Sequence, residues 1–453
     1  MTVHDPSVFP NPRVTDRYPL WHPMTEMGVH REREITIVRG EGVRVWDRDG
    51  REYISATGGL WNVSCGFNRP EIVTAIVDQV HRLPYGTLFR FGNEPALELA
   101  QRLVEVLPGD LTRVFLTTSG AGAVDTALKI VRRYFRLLGR PDKRDVVCLS
   151  RSYHGTSIGS MAVTGEDLEQ GEYGVDRRDV RVVGTPDPVG CSLCGQGDPC
   201  VGQCAEELFA VIERDAGRIA AVIVEPVLGS AGVVPVPIPV LTTLQTLCTA
   251  HDVLLVIDEI ATGFGRTGRM FASEHAGLEP DLVTMSKAIN SGYLPLGATA
   301  VSEEVYDVFA RSRTVFSHGE TQAGNPVACA AGVATLDVLA KDDLVLRAAE
   351  MGGHLSRGLH ELRRQHWQIG AVTGRGLMIG VRLVADERDG RPLGFRDVQR
   401  VVARMAGEGL LVHPAPTGFS LFPPLVIGRD DVDVVLSVID RVLGADGATS
   451  SRG

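Results

Sequence analysis

From about Thr57 onward, apolar residues recur along the chain in two alternating rhythms. "EIVTAIVDQVHRL" (Glu71–Leu83) and "PALELAQRLVEVL" (Pro95–Leu107) place them three and four apart, the spacing of one helical face. The runs "VFLTT" (Val114–Thr118), "DVVCLS" (Asp145–Ser150), "AAVIVEP" (Ala220–Pro226), "VLLVID" (Val253–Asp258) and "DLVTMS" (Asp281–Ser286) are short and continuously apolar. Runs of that kind have no wet face, so they predict strands buried on both sides. The helical patterns "AVDTALKIVRRYFRLLG" and "LTTLQTLCTAHD" fall between them. The alternation predicts an α/β fold with a mostly parallel central sheet covered by helices.

Upstream, "VRVWDRDGREYI" (Val43–Ile54) alternates around Asp49-Gly50 and predicts a hairpin with a tight turn. After about Asn325 the chain becomes more helical. "PVACAAGVATLDVLA" and "VDVVLSVIDRVL" bracket a small sheet containing "GLMIGVRLV". The expected division is an N-terminal segment, 1–56, contributing to a small domain; a large domain, 57–325; and a C-terminal α+β domain, 326–453.

Sheets of this kind bind ligands beyond the carboxyl ends of their strands. The residues just after each strand are therefore the ones to weigh: Ser119-Gly120-Ala121-Gly122, Tyr153-His154-Gly155, Glu225, Asp258-Glu259 and Lys287.

Composition narrows the function classes. A chain of 453 residues with 44% hydrophobic and 23% charged residues is ordinary globular protein. A net charge of -10 without a basic run argues against nucleic-acid binding. No window reaches the ~18 apolar residues of a membrane helix. The polar, proline-rich N-terminus has no signal-type apolar stretch, so a cytoplasmic protein with its eight cysteines as thiols is expected.

Only four lysines occur, Lys129, Lys143, Lys287 and Lys341, among 46 Lys plus Arg. Lys287 leaves a predicted strand end, where it is either a surface charge or an imine-forming nucleophile. "TTSGAGAVDTALK" puts a glycine-rich turn at a helix N-terminus, a phosphate site by its free N–H groups. "VLLVIDEIATGFGRTG" delivers Asp258 to a strand end; alone, such an aspartate is more often a cap or a salt-bridge partner. A phosphate cradle, a carboxylate for a pyridinium nitrogen, an aromatic (Tyr153) and an imine-forming lysine are together what pyridoxal phosphate needs.

Nearly end to end, from "LWHPMTE" to "LFPPLVI", the chain resembles the class III (omega) aminotransferases of the fold type I pyridoxal-phosphate enzymes. The motifs that carry the resemblance are "WDRDGREYI", "SYHG", "VEPVLGSAG", "DEIATGFGRTG", "SKAINSGYLPLGA", "HGETQAGNPVACAA" and "GRGLMIGV". The resemblance implies that Lys287 carries the imine with pyridoxal 5′-phosphate and that Asp258 pairs with the ring nitrogen. Tyr153 would stack on one ring face and Ile260 pack on the other. Ser119, Gly120 and Ala121 would bind phosphate. Thr321 of a partner subunit would complete that site, making a homodimer with shared active sites. Trp61 and a neighbour's Phe89 would line the substrate pocket. His154 and Glu225 would stand close to the cofactor.

Two departures bear on the substrate. The family's phosphate loop usually reads Ser-Gly-Ser-Glu/Asp-Ala; here it is Ser119-Gly120-Ala121-Gly122-Ala123, without that hydroxyl and carboxylate. Many relatives also hold a substrate carboxylate with an arginine at the position of His413. A histidine lacks the two-pronged fork and titrates near neutrality. Either Arg375 takes that role, or the substrate is an amine without a carboxylate, such as an amino sugar of secondary metabolism (antibiotic biosynthesis), with Glu320 suited to its cationic group. Epimerisation or elimination on an amino sugar is the competing reaction, and an inactive scaffold of the same fold the competing class. Cys191, Cys194, Cys200 and Cys204 form C-x2-C-x5-C-x3-C, a zinc pattern or, the favoured reading, a thiol-rich loop.

Overall fold

The computed structural model describes residues 20–25, 35–187, 189 and 205–450, with side chains to 445. The four cysteines of the C-x2-C pattern lie outside these residues.

The apolar runs form a seven-stranded sheet. Its strands are β1 (Leu111–Thr117), β2 (Asp145–Leu149), β3 (Val180–Val183), β4 (Ile219–Val224), β5 (Leu254–Asp258), β6 (Leu282–Met285) and β7 (Gly297–Ser302), in the spatial order β1-β7-β6-β5-β4-β2-β3. β4 pairs in parallel with β5 and β2, β5 with β6, and β2 with β3. Only β7 runs against its neighbours. Every residue of β2, β4, β5, β6 and β7 is buried, as continuous Val/Ile/Leu runs require when helices cover both faces. The sequence pattern did not single out β3 or β7: "VRVV" is too short, and the small residues of "GATAVS" give no apolar signal.

Helix α1 (Pro70–Arg82), α2 (Glu94–Val106) and α3 (Gly120–Leu137) follow as the spacing predicted. α3 lies against β1, β6 and β7, burying Val124, Leu128, Val131 and Phe135. α4 (Pro326–Lys341) packs on α1, α2 and the short 3-10 turn Lys287–Asn290. The Asn325 side chain caps it, accepting from Val327 and Ala328 N–H, with Pro326 in the first turn. A side chain at Gly332 would press on Leu99 Cδ1 at 3.0 Å, so glycine sets how closely α4 approaches α2.

The predicted hairpin pairs Arg44–Asp47 with Glu52–Ser55. The second of these strands also pairs in parallel with Leu410–Leu411, joining the N-terminal segment to the last hundred residues. A second four-stranded sheet, Ile369–Arg375, Met378–Leu383, Gly418–Leu421 and His413–Ala415, contains the predicted "GLMIGVRLV" strand. Among the described residues, no helix is long and apolar enough to cross a membrane.

Candidate active site

The carboxyl ends of β1, β2, β4, β5 and β6 face one cavity of about 190 Å³. It is lined by Trp61, Gly120, Ala121, Tyr153, His154, Glu225, Asp258, Ile260 and Lys287, together with Gly155, Thr156, Ser230, Ala261 and Ser286. A larger apolar groove of about 770 Å³ lies elsewhere, between α2, β1 and Tyr306–Phe316, and lacks a cluster of interacting titratable groups.

After β1, Ser119 caps α3. Its backbone is extended, and its Oγ accepts the Gly122 N–H at 3.0 Å. Gly120 and Ala121, the first two residues of the helix, then face the cavity with N–H groups that no helical carbonyl can reach. A Cβ on Gly120 would meet Ile260 Cδ1 at 3.1 Å, so glycine is what lets Ile260 close over this end.

β5 ends on Asp258, which is 2% exposed. One oxygen accepts the Ile260 N–H at 3.0 Å; the other lies 2.7 Å from His154 Nδ1. His154 is itself buried. Burial pulls its pKa down, but the hydrogen bond and charge of Asp258 outweigh that and raise it. Nδ1 faces a carboxyl oxygen at hydrogen-bond distance and is the ring nitrogen that donates. His154 Nε2 is enclosed with no partner among the described residues.

Glu225 leaves β4. Its oxygens accept Tyr153 N–H at 3.0 Å and Gly229 N–H at 3.2 Å, which fixes the Tyr153 backbone beside the cavity. Burial drives its carboxyl up to about 7; the nearby Asp258 charge adds to the rise and His154 opposes it. Glu259, next to Asp258, points the other way. It holds Thr262 O–H and the Ala272 and Ser273 N–H groups, a structural role.

Lys287 follows β6 at φ 45, a left-handed backbone rare for a residue with a side chain. Desolvation lowers its amine pKa below the usual lysine range, against the pull of Glu225 and Asp258. Nζ sits 4.6 Å from the centre of the Trp61 ring. Trp61 is also left-handed, at φ 64, after Gly58 and Gly59, which share positive φ. Its ring stacks on Phe422 at 4.3 Å and lies over Gly229, where any Cβ would strike it at 2.7 Å. His413 meets Trp61 edge-on at 5.1 Å. Burial, with the Lys287 charge, pushes His413 down to about 4.

The remaining predicted residues are not in this cavity within one chain. Glu320 is held at the start of α3, where Oε2 accepts Thr118 N–H at 2.7 Å and also the Thr118 hydroxyl. Within one chain the carboxylate expected to suit a substrate cation is thus hydrogen-bonded to Thr118. Phe89 is 66% exposed and packs on Gly319. Thr321 is exposed, its carbonyl accepting the Tyr85 hydroxyl at 2.9 Å. Arg375 ends its strand outside the cavity; its charge lowers the His275 pKa after burial has done so. Sequence reasoning missed Thr156, Ser230 and Ser286 as lining residues. Ser230 and Ser286 lie inside "VEPVLGSAG" and "SKAINSGYLPLGA", and Thr156 directly follows "SYHG", so the motifs themselves are the available signal. It also missed Arg266, fully buried, which donates to Leu377 O at 3.1 Å and Pro423 O at 2.6 Å behind Phe422.

Residues 27–443 match the family model for class-III aminotransferases. An adenosylmethionine-8-amino-7-oxononanoate aminotransferase from Geobacter sulfurreducens is 34% identical, over 94% of this chain and 96% of that one. An omega-aminotransferase from Caulobacter vibrioides is 35% identical, over 94% and 97%. Among solved structures, an amine transaminase from an uncultivated Pseudomonas species in its PLP-bound form superposes with a TM-score of 0.90. It is 33% identical and the match covers 94% of this chain and 98% of that one.

Proposed function

We propose that this chain, which belongs to the class III aminotransferase family, takes its amino group from a primary amine without a carboxylate. It is a fold type I aminotransferase whose cofactor is pyridoxal 5′-phosphate.

The residues present fit that cofactor. The free N–H groups of Gly120 and Ala121 suit a phosphate at a helix N-terminus. Asp258, buried and backed by His154, suits a protonated ring nitrogen. Tyr153 and Ile260 supply two walls. When bound, pyridoxal phosphate supplies an electron sink that lets the amine-bearing carbon lose a proton.

The chain's own residues then do the positioning and the proton transfer. Asp258 sets its carboxyl group at one end of the cavity, and His154 Nδ1–H fixes its orientation. Lys287 Nζ, its pKa lowered by burial, is the amine placed to take a proton from carbon and return it. Arginine could not, since it stays protonated. Trp61 shields the amine on one side. Transfer in both directions through one cavity makes the kinetics ping-pong.

His413 carries the substrate reading. With its pKa near 4, the imidazole is neutral at pH 7 and presents an aromatic edge to Trp61 rather than a positive fork. A substrate carboxylate finds no cation at this position. A hydroxyl-rich amine, such as an amino sugar, loses nothing there and can pack on the aromatic wall.

The test compares specificity constants for glutamate, pyruvate and an aminodeoxy sugar in wild type and His413→Arg. A charge-assisted, two-pronged pair is worth ~2–4 kcal/mol, so His413→Arg is expected to improve glutamate and pyruvate roughly 30- to 1000-fold while impairing the amino sugar. If wild type already uses glutamate as well as any amine, and the substitution changes neither class, the reading fails.

A further inference from the structure

The connection after helix Glu303–Ser312 lies along one face of α3, tied to it at three levels. Lys129 Nζ donates to Ser317 O at 2.9 Å. Lys129 Nζ also lies 3.1 Å from His318 Nδ1, and His318 Nε2 lies 2.9 Å from Thr126 Oγ1. Glu320 Oε2 takes both donors of Thr118. The middle tie has only one consistent direction. An ammonium can only donate, so Nδ1 accepts and Nε2 carries the hydrogen. Nε2–H donates to Thr126 Oγ1, whose own hydrogen goes to Gly122 O at 2.8 Å. His318 is thereby required neutral.

The last level has a steric condition. A Cβ on Gly122 would collide with Glu320 Oε1. The carboxylate can sit there because residue 122 has no side chain. From there it fixes Thr118, whose neighbours Ser119, Gly120 and Ala121 form the helix start.

We infer that Glu320 is a positioning residue for the phosphate cradle, placed in room that only glycine at 122 leaves, and that Gly122 and Glu320 act as one matched pair. The carboxylate missing from the Ser119–Ala123 loop is supplied from 198 positions downstream. Glu320 acts through Thr118 on the backbone N–H groups of the helix start. This rests on the reading that Gly120 and Ala121 hold the phosphate.

The experiment measures the dissociation constant of pyridoxal phosphate for the holoenzyme by equilibrium dilution, with kcat at saturating cofactor and the thermal midpoint as companions. Glu320→Ala is expected to raise the constant about 10- to 50-fold and leave kcat within twofold. Glu320→Gln, which keeps an acceptor oxygen and the shape, should stay within about threefold of wild type. Thr118→Val, which removes the hydroxyl partner alone, should raise it several-fold and stands in if Glu320→Ala does not fold. Gly122→Ala, which pushes on the free Oε1 end of the Glu320 carboxylate, should weaken binding in the same direction and by less than Glu320→Ala, and the double variant should be no worse than Glu320→Ala alone. Inorganic phosphate, competing with the cofactor, should lose affinity in the same order. Gly120→Ala is the control for the cradle itself: no effect there sinks the cradle reading. Weakening by Gly120→Ala with unchanged or tightened binding in Glu320→Ala overturns the inference alone. So does a double variant in which the two effects multiply.

Discussion

His154 Nδ1 lies 2.7 Å from Asp258 Oδ2, and both side chains are sealed from solvent. The imidazole is the only side chain that donates a hydrogen bond to Asp258 among the described residues, so it fixes which way the carboxylate faces. Replacing His154 with phenylalanine keeps the bulk and removes the donor. A hydrogen bond to a charged group is worth about 1.5–3 kcal/mol, or roughly 10- to 150-fold. His154→Phe is expected to lower kcat/KM by that amount with little change in folding, and His154→Asn to recover part of it. Equal loss in both would mean that shape, not the hydrogen bond, matters. The raised His154 pKa also has a sign. A histidine whose folded pKa exceeds its unfolded one adds stability below pH ~6.5, and that stability is lost as pH rises through the folded value.

Lys287 is expected to be the one residue covalently linked to the cofactor. Borohydride treatment of the yellow holoenzyme, followed by peptide mapping, should place the adduct on Lys287. Lys287→Ala should bind cofactor without any reducible link and lose at least about 10⁴-fold in rate, the scale of a missing nucleophile and base together. An adduct on Lys129, Lys143 or Lys341 would overturn the assignment.

Lys143 offers a stability test away from the site. Its Nζ donates to Ala216 O at 2.6 Å and His251 O at 3.3 Å, the carbonyls just past two helix ends. Burial pushes this lysine down to about 8, with Arg140 adding to the shift. Its unfolded value is near 10.4, so between pH 8 and 10.4 the unfolded chain binds more protons and stability rises with pH. The gain, discounted for residual solvent access, is ~1–3 kcal/mol. Denaturant melts of wild type minus Lys143→Met across that window should show it, since all other titrations cancel in the difference. A flat difference would mean the lysine is solvated.

Thr321 tests the shared site. It is exposed in the single chain, away from the cavity. Thr321→Ala should weaken cofactor binding roughly 10- to 150-fold, in line with one lost hydrogen bond to a charged group at about 1.5–3 kcal/mol. Hybrids of Thr321→Ala with Lys287→Ala subunits should then contain one site of wild-type affinity. A monomer fully active at nanomolar concentration, or hybrids without rescue, would remove the partner's role.

The sequence shows five of the seven strands of the central sheet, because a continuous apolar run such as "AAVIVEP" has nowhere to lie except between two helical layers. It also determined which residues meet at the cavity. Tyr153, Glu225, Asp258 and Lys287 each follow a strand, and parallel strands put all such ends on one edge. What those side chains do there follows from packing between distant segments. The pairing of His154 with Asp258 spans 104 positions and that of Glu320 with Thr118 spans 202; no local pattern encodes either. Glu320 reads in sequence as a carboxylate free for a substrate, yet the fold brings it to two donors beside a glycine and uses it there. His413 reads as a group that titrates near neutrality, yet burial against Trp61 holds it neutral. A side chain's chemistry is written in the chain, but its charge state and its partners depend on desolvation and on contacts between distant segments, which exist only once the chain has packed.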